Sequence, residues 1–112
     1  MTVIEIPVRT YNTANVRWHW AKKAKIAKDQ RFLTFAEARA KGVTKAPAGR
    51  FRVICHRIGK RRMDTDGLAI SFKPIRDGLA VAMGIDDGDP RIDWHYTQET
   101  GKSYSVRITI EG

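Results

Sequence analysis

The sequence predicts an α+β fold, with strands and helices in the order β-α-β-α-β-β and a mixed sheet with two helices packed on it. Several short segments alternate apolar and polar residues with the period of a strand. Two longer segments have helical spacing and end at a glycine. At 112 residues the chain can bury one core but not two. Residues 1–112 are therefore interpreted as a single domain.

The first half of the chain predicts a strand followed by a long helix. Residues 2–8 alternate as a strand, and Pro7 marks it as an edge strand because proline cannot donate to a central ladder. The helix is predicted over residues 16–41, with Asn15 as its N-cap. One apolar stripe is predicted to face the core, and a second, roughly opposite stripe is a candidate subunit interface. The first stripe comprises Trp20, Ala24, Ala27, Phe35 and Ala38, and the second comprises Ile26, Leu33 and Ala40.

The second half predicts a strand, a helix and two further strands. Residues 50–57 form the clearest strand, with Cys55 as a small buried side chain. A helix follows within residues 66–83, and Pro74 either opens its main part or kinks it. Alternation then predicts the last two strands, over residues 92–96 and 104–110.

The composition limits the cellular compartment of the protein and the kinds of disulfide or metal site that it can form. No apolar run approaches a membrane span, and the N-terminus lacks the apolar core of a signal peptide. Cys55 is the only cysteine, which excludes a disulfide framework and a thiolate metal site. We expect a cytoplasmic protein with no membrane association and no small-molecule cofactor.

The net charge of +9 is unevenly distributed. Residues 17–62 contain fifteen Lys and Arg against two acids, whereas residues 63–112 contain five against nine. Such asymmetry is typical of nucleic-acid binding. The alternatives are solvated lysines, or a basic surface for an acidic protein partner. The candidate DNA-binding residues are Arg17, Lys22, Lys23, Lys25, Lys60, Arg61 and Arg62.

The acidic half contains candidate metal ligands. If the backbone is extended at Asp64 and Asp66, both side chains leave the same face about 6.5 Å apart, which suits two carboxylates sharing Mg²⁺. Asp86 and Asp87 follow the second helix, so the fold could return one of them to the same cation. The alternative is that Asp64 and Asp66 cap a helix or shape a turn. Lys73 could offset transition-state charge or form an ordinary salt bridge to the residue at i+4.

Three segments together resemble the core of the RusA family: Arg61-Arg-Met-Asp-Thr-Asp-Gly-Leu68, Lys73-Pro-Ile-Arg-Asp-Gly-Leu79 and Gly84-Ile-Asp-Asp87. This family comprises dimeric, Mg²⁺-dependent endodeoxyribonucleases that resolve Holliday junctions and occur in bacteria and prophages. The stretch Arg17-Trp-His-Trp-Ala-Lys-Lys-Ala24 and the tail Asp89-Pro-Arg-Ile-Asp-Trp-His-Tyr-Thr-Gln98 resemble phage-type members. The similarity therefore runs through roughly the whole chain in order.

The resemblance implies a set of site residues and partners. Asp64, Asp66 and Asp87 correspond to the metal-binding aspartates, with Asp86 as a further candidate. Lys73 corresponds to the catalytic lysine. The resemblance also implies Mg²⁺, for which Mn²⁺ can substitute, a homodimer, and branched DNA as substrate. The expected reaction is paired phosphodiester hydrolysis at a four-way junction.

Two departures from the family pattern leave alternatives open. Gly67 stands where an asparagine commonly follows the second aspartate, and Ile70 stands where members with shorter spacing have the lysine. One alternative is a catalytically silent protein that only binds branched DNA, and another is a related nuclease that prefers other branched DNA. A basic protein-interaction domain is the third.

Overall fold

A four-stranded mixed sheet and three helices make up the protein. The computed structural model describes residues 1–14 and 16–112. No helix within these ranges is long and apolar enough to cross a membrane. The elements in chain order are β1 Thr2–Ile6, α1 Trp20–Ala40, β2 Phe51–Gly59, α2 Thr65–Ser71, α3 Lys73–Met83, β3 Ile92–Thr100 and β4 Ser105–Glu111.

The α+β class and the β-α-β-α-β-β order are confirmed. The second predicted helix is a pair, because Phe72 ends α2 and also precedes the first turn of α3, in which Pro74 lies. Pro74 thus opens the main helical part, where its missing N–H has no helical partner to lose. Gly84 ends α3 in the left-handed conformation, with φ 72°.

The sheet has the strand order β1-β4-β2-β3. Strands β2 and β3 are parallel, whereas β4 is antiparallel to both β1 and β2. The edge position of β1 agrees with the proline that follows it. The parallel pair ends at Gly59 and Thr100, which are partners in the register. The segment that leaves β2 towards Asp64 therefore starts beside the end of β3.

The core lies between the helices and one face of the sheet. Val53 and Ile108 from the strands, and Ile75 and Leu79 from α3, are 0% exposed. Cys55 is also fully buried, as predicted. Burial raises the pKa of its thiol to about 12, so the thiol is protonated and unreactive at neutral pH.

The predicted core stripe of the long helix is wrong at its N-terminal end, whereas Phe35 packs against the core. The buried residues of α1 are Gln30, Thr34 and Ala38, of which only Ala38 belongs to the predicted stripe, and Trp20 is 74% exposed. The helix also begins at Trp20 rather than at residue 16, with the His19 side chain accepting a hydrogen bond from the Ala21 backbone N–H at 3.2 Å. The predicted N-cap, residue 15, lies outside the described residues.

Close helix packing explains why polar side chains occupy two of the three buried positions of α1. A Cβ atom added to Gly78 of α3 would clash with the Arg31 carbonyl oxygen of α1 and lie 3.0 Å from the Thr34 Cβ. At this separation only small or thin side chains fit between the helices. Apolar periodicity along α1 alone does not contain that information, because it depends on a glycine more than forty positions away.

Candidate functional site

Asp64 and Asp66 lie at the start of α2. Asp64 is the N-cap, with φ −69° and ψ 167°, and its Oδ1 accepts a hydrogen bond from the Gly67 backbone N–H at 2.6 Å. Asp66 lies in the first helical turn. The extended backbone that would direct both carboxylates to one face is therefore absent, and the helix-capping alternative is confirmed for Asp64. Both residues are exposed to solvent.

The Gln98 side chain holds the segment before Asp64. The Gln98 Oε1 accepts a hydrogen bond from the Met63 backbone N–H at 2.9 Å, and the Gln98 Nε2 donates to the Met63 carbonyl oxygen at 2.7 Å. This paired contact ties the start of α2 to β3. Two hydrogen bonds to the backbone of Met63 restrict both its position and its orientation. The backbone that leads into Asp64 is therefore fixed.

Asn12 lies against Asp64 and Gly67, and it was not among the predicted site residues. A Cβ atom on Gly67 would lie 2.5 Å from both the Asn12 Nδ2 and the Asp64 Oδ1. Gly67 is buried, so the amide of Asn12 occupies the space where a side chain at position 67 would begin. No local pattern could have found this contact, because the two residues are distant in sequence.

Asp87 follows α3 and binds two cationic side chains. Its Oδ2 accepts hydrogen bonds from Lys73 Nζ at 2.7 Å and from Arg76 Nη2 at 3.2 Å. Lys73 also donates to Asp77 Oδ1 at 2.8 Å, which confirms the predicted alternative of a salt bridge at i+4. The hydrogen bond from Lys73 holds the pKa of Asp87 below its ordinary value, and hydrogen bonds to Asp77 and Asp87 raise the pKa of Lys73. We call these four residues, Lys73, Arg76, Asp77 and Asp87, the Lys73 cluster.

Arg76 is the member of the Lys73 cluster that sequence reasoning missed. Its Cζ lies 5.1 Å from the centre of the Trp94 ring, and Trp94 Nε1 donates to the Asp87 carbonyl oxygen at 3.0 Å. The sequence did contain a signal for Arg76, because residues at i and i+3 share a helix face. A helix beginning at Lys73 therefore presents both cations to the same side.

The donor chemistry of the aspartates suits Mg²⁺, but their arrangement does not form the predicted three-carboxylate centre. Within residues 1–14 and 16–112, no three His, Cys, Asp or Glu side chains form a group that could hold a metal ion. Asp64 caps α2, and Asp87 is engaged by Lys73 and Arg76. Asp86 instead accepts from the Gly88 backbone N–H at 2.8 Å and closes its own turn.

The basic turn between β2 and α2 reaches the acidic residues. Lys60, Arg61 and Arg62 are all exposed. Arg62 and Asp66 line the same open cleft of about 320 Å³. A cation and a carboxylate on one cleft wall can contact a phosphate and its counter-ion together, so this turn is the predicted DNA contact that lies nearest to Asp66.

The basic residues in and just before α1 differ in what they contact. Lys22 Nζ lies 4.5 Å from the centre of the Trp18 ring, and Lys25 pairs with Asp29 at 2.9 Å. Arg17 is exposed. Lys23 donates to the Thr13 carbonyl oxygen at 3.2 Å. Together with Lys73 and Arg76, Lys23 also lines an apolar groove of about 580 Å³ between α1 and the α2–α3 pair.

Comparison with known proteins gives a relative but no named activity. No family model matches the chain. The chain is 35% identical over 109 residues to an uncharacterized protein from Xylella fastidiosa, and the match covers 88% of this chain and 67% of that protein. That extent of similarity places the two proteins in one family.

Proposed function

Since the chain belongs to the same family as the uncharacterized Xylella fastidiosa protein, we propose a function from its own residues: an Mg²⁺-dependent, structure-selective endodeoxyribonuclease that resolves four-way DNA junctions by paired phosphodiester hydrolysis. The observation that supports it best is the 2.7 Å contact between Lys73 and Asp87. The RusA resemblance assigns both residues to one site although they are distant in sequence. No periodic pattern in the sequence requires Lys73 and Asp87 to be in contact, so their contact supports the proposal.

The Lys73 cluster is well suited to exchange partners when DNA binds. Lys73 is 56% exposed and Arg76 is 23% exposed, so a phosphate can approach both. A guanidinium binds phosphate oxygens in two-point fashion, and an ammonium acts as a point charge. When these cations turn to a phosphate, the Asp87 carboxylate loses its two partners and becomes available as an oxygen donor.

Asp64, Asp66 and Asp87 would then hold Mg²⁺ or Mn²⁺, with Asp86 as a further candidate. A bound divalent ion supplies a water molecule of lowered pKa that can attack a phosphodiester. Before DNA binds, the carboxylate of Asp87 is neutralised by Lys73 and Arg76. After the exchange, Lys73 remains beside the phosphate and offsets the charge that develops there.

A homodimer would place two such sites on a two-fold symmetric junction. Phe32 and Val81 support a subunit interface, because they are 72% and 59% exposed and line one apolar cleft with Phe35. This surface replaces the predicted second stripe of α1, of which Leu33 packs against the core. We expect a cytoplasmic protein whose exposed basic residues contact DNA.

The second candidate is a protein that binds branched DNA without cutting it. Two observations favour it. The described residues place no three carboxylates around one point, and the space next to Gly67 is occupied by Asn12. This candidate predicts tight junction binding and no cleavage with any divalent ion.

Lys73→Met distinguishes the two candidates, with Lys45→Met as a matched control on another exposed lysine. The nuclease predicts that Lys73→Met loses Mg²⁺-dependent cutting while its junction affinity changes by less than about tenfold, the effect of a single phosphate contact. Lys45→Met is expected to cut normally. Equal, undetectable cutting by the wild type and by both variants, with junction binding intact, would favour the silent binder.

A further inference from the structure

Arg57 is a buried guanidinium without a carboxylate partner. The residue lies near the end of β2 and is 5% exposed. It is absent from the ion pairs formed within residues 1–14 and 16–112. Its Nη1 donates to the Arg61 carbonyl oxygen at 2.7 Å, but its buried Nε has no hydrogen-bond partner. An uncompensated buried charge is costly, so this residue needs a further explanation.

Two further cations, Arg9 and Lys60, lie at the Tyr104 ring. The Cζ of Arg9 lies 4.2 Å from the centre of the Tyr104 ring, and the Nζ of Lys60 lies 5.8 Å from the same point. Burial is the main cause that lowers the pKa of Arg57; Tyr104 opposes this effect and the charge of Arg9 adds to it. Arg9 and Lys60 also take no part in the ion pairs of the described ranges. Arg9 and Lys60 therefore lie at the Tyr104 ring, and within residues 1–14 and 16–112 no carboxylate pairs with either of them or with Arg57.

The protein holds this cluster in place. Gln30, which is 6% exposed on α1, donates through its Nε2 to the Arg9 carbonyl oxygen at 2.7 Å. A Cβ atom on Gly59 would lie 2.5 Å from the Arg57 Nη2, so the glycine lets the guanidinium pack directly against the backbone of β2.

We propose that Arg57, Arg9, Lys60 and Tyr104 form a binding site for a backbone phosphate of DNA. Arg57 would donate from its terminal Nη N–H groups to the phosphate oxygens. Arg9 and Lys60 would balance the remaining charge, held over the Tyr104 ring. Because Arg57 also bonds the Arg61 carbonyl oxygen, the bound phosphate would lie beside the basic turn that leads to Asp64.

The choice of DNA as the source of the phosphate depends on the proposed function, whereas anion binding itself does not. The competing explanation is that Arg57 only anchors the basic turn through its Nη1. The two explanations differ in what Arg57→Met does, since this variant keeps the unbranched apolar stem of the side chain and removes its charge. A phosphate ligand predicts lost anion binding with little loss of stability, whereas an anchor predicts a loss of stability alone.

Arg52→Met is the matched control. Arg52 lies on the opposite face of the same strand, is 50% exposed, and bonds Glu111 at 3.1 Å. The first measurement is the unfolding midpoint in sodium chloride and in inorganic phosphate at equal ionic strength. The second is the dissociation constant for a labelled four-way junction in EDTA, from fluorescence anisotropy.

We expect inorganic phosphate to raise the midpoint of Arg57→Met by less than those of the wild type and of Arg52→Met, because the variant keeps only the general stabilisation that phosphate gives to folded proteins. Arg57→Met should weaken junction binding about tenfold or more, the effect of losing hydrogen bonds to a charged group, and Arg52→Met by less than about threefold. An equal rise in Arg57→Met and in Arg52→Met overturns the site. A smaller rise in Arg57→Met with unchanged junction affinity overturns the assignment to DNA.

The test remains decisive if Arg57→Met does not fold and if the wild type binds no DNA. If Arg57→Met does not fold, Arg9→Gln and Lys60→Gln carry the same test, because both residues are exposed and neither change can open the core. If the wild type binds no DNA, the proposed function and the assignment to DNA both fail. The effect of inorganic phosphate on the unfolding midpoint then still decides whether the cluster binds an anion.

Discussion

Asp87→Asn tests the Lys73 cluster, since it removes the anion and keeps the shape of the side chain. Asp87 is 17% exposed and receives two charge-assisted hydrogen bonds. Such bonds contribute about 1.5–3 kcal/mol each when buried. Lys73 is 56% exposed, so its bond contributes much less, and we expect a loss of ~1–2 kcal/mol in the free energy of unfolding. That loss corresponds to a fall of about 4–8 °C in the unfolding midpoint.

The pH dependence of this loss has a defined sign. The pKa of Asp87 lies below its ordinary value because Lys73 bonds it. The ion pair therefore stabilises the fold above the unfolded-state pKa of about 3.9. Its contribution disappears as the pH falls through the folded-state pKa. Wild type and Asp87→Asn should differ at neutral pH and converge in strong acid.

Urea denaturation at neutral pH and in strong acid measures the difference. Asp29→Asn is the control, because Asp29 is 62% exposed and forms a solvated pair with Lys25; it should change stability little. Equal stability of Asp87→Asn and wild type at neutral pH would refute the account of the cluster. A difference that persists unchanged in strong acid would also refute it.

The remaining predictions concern packing and DNA binding. Gly78→Ala should lower stability by about 1–3 kcal/mol, because the added methyl group meets the backbone of α1. Trp20→Ala should cost less than about 0.5 kcal/mol, since the side chain is 74% exposed. Urea denaturation checks both, and the opposite ranking would contradict the packing of α1. Asp64→Asn should abolish Mg²⁺-dependent cutting yet keep or tighten junction binding, because a charge that repels phosphate is lost. Parallel cleavage and anisotropy assays measure this, and joint loss of cutting and binding would mean that Asp64 serves the fold.

The features that sequence could predict were local and periodic. Strand alternation gave all four strands, and Pro74 gave the opening of α3. The helical spacing of Lys73 and Asp77 gave their salt bridge. Each of these depends on a few neighbouring residues, and the backbone conformation that they favour is also the one that the whole fold uses.

The features that sequence could not predict depend on distant contacts. Gly78 determines which face of α1 is buried, and Gln98 fixes the backbone before Asp64. Asp64 and Asp66 were predicted to share an extended face, but the helix starts between them. Capping and metal binding both favour aspartate at such a position, so residue type alone could not separate the two.

The resemblance to the RusA family implies that Lys73 and Asp87 belong to one site, which periodicity alone does not imply. It could not supply Arg57 or Asn12. Arg57 alternates correctly for a buried strand position, but nothing local shows that its charge has no partner there. Asn12 is identified only by the space beside Gly67.

The most direct test of the proposed nuclease is cleavage of a labelled four-way junction and a matched linear duplex, each with Mg²⁺ and with EDTA. Asp66→Asn is assayed in parallel, because its exposed carboxylate at the start of α2 can be replaced without disturbing the core. We predict paired nicks on the junction only, in Mg²⁺ only, and none with the variant. Tight junction binding by the wild type without cleavage in Mg²⁺ or Mn²⁺ would contradict the nuclease and leave the silent DNA-binding protein as the account of this chain.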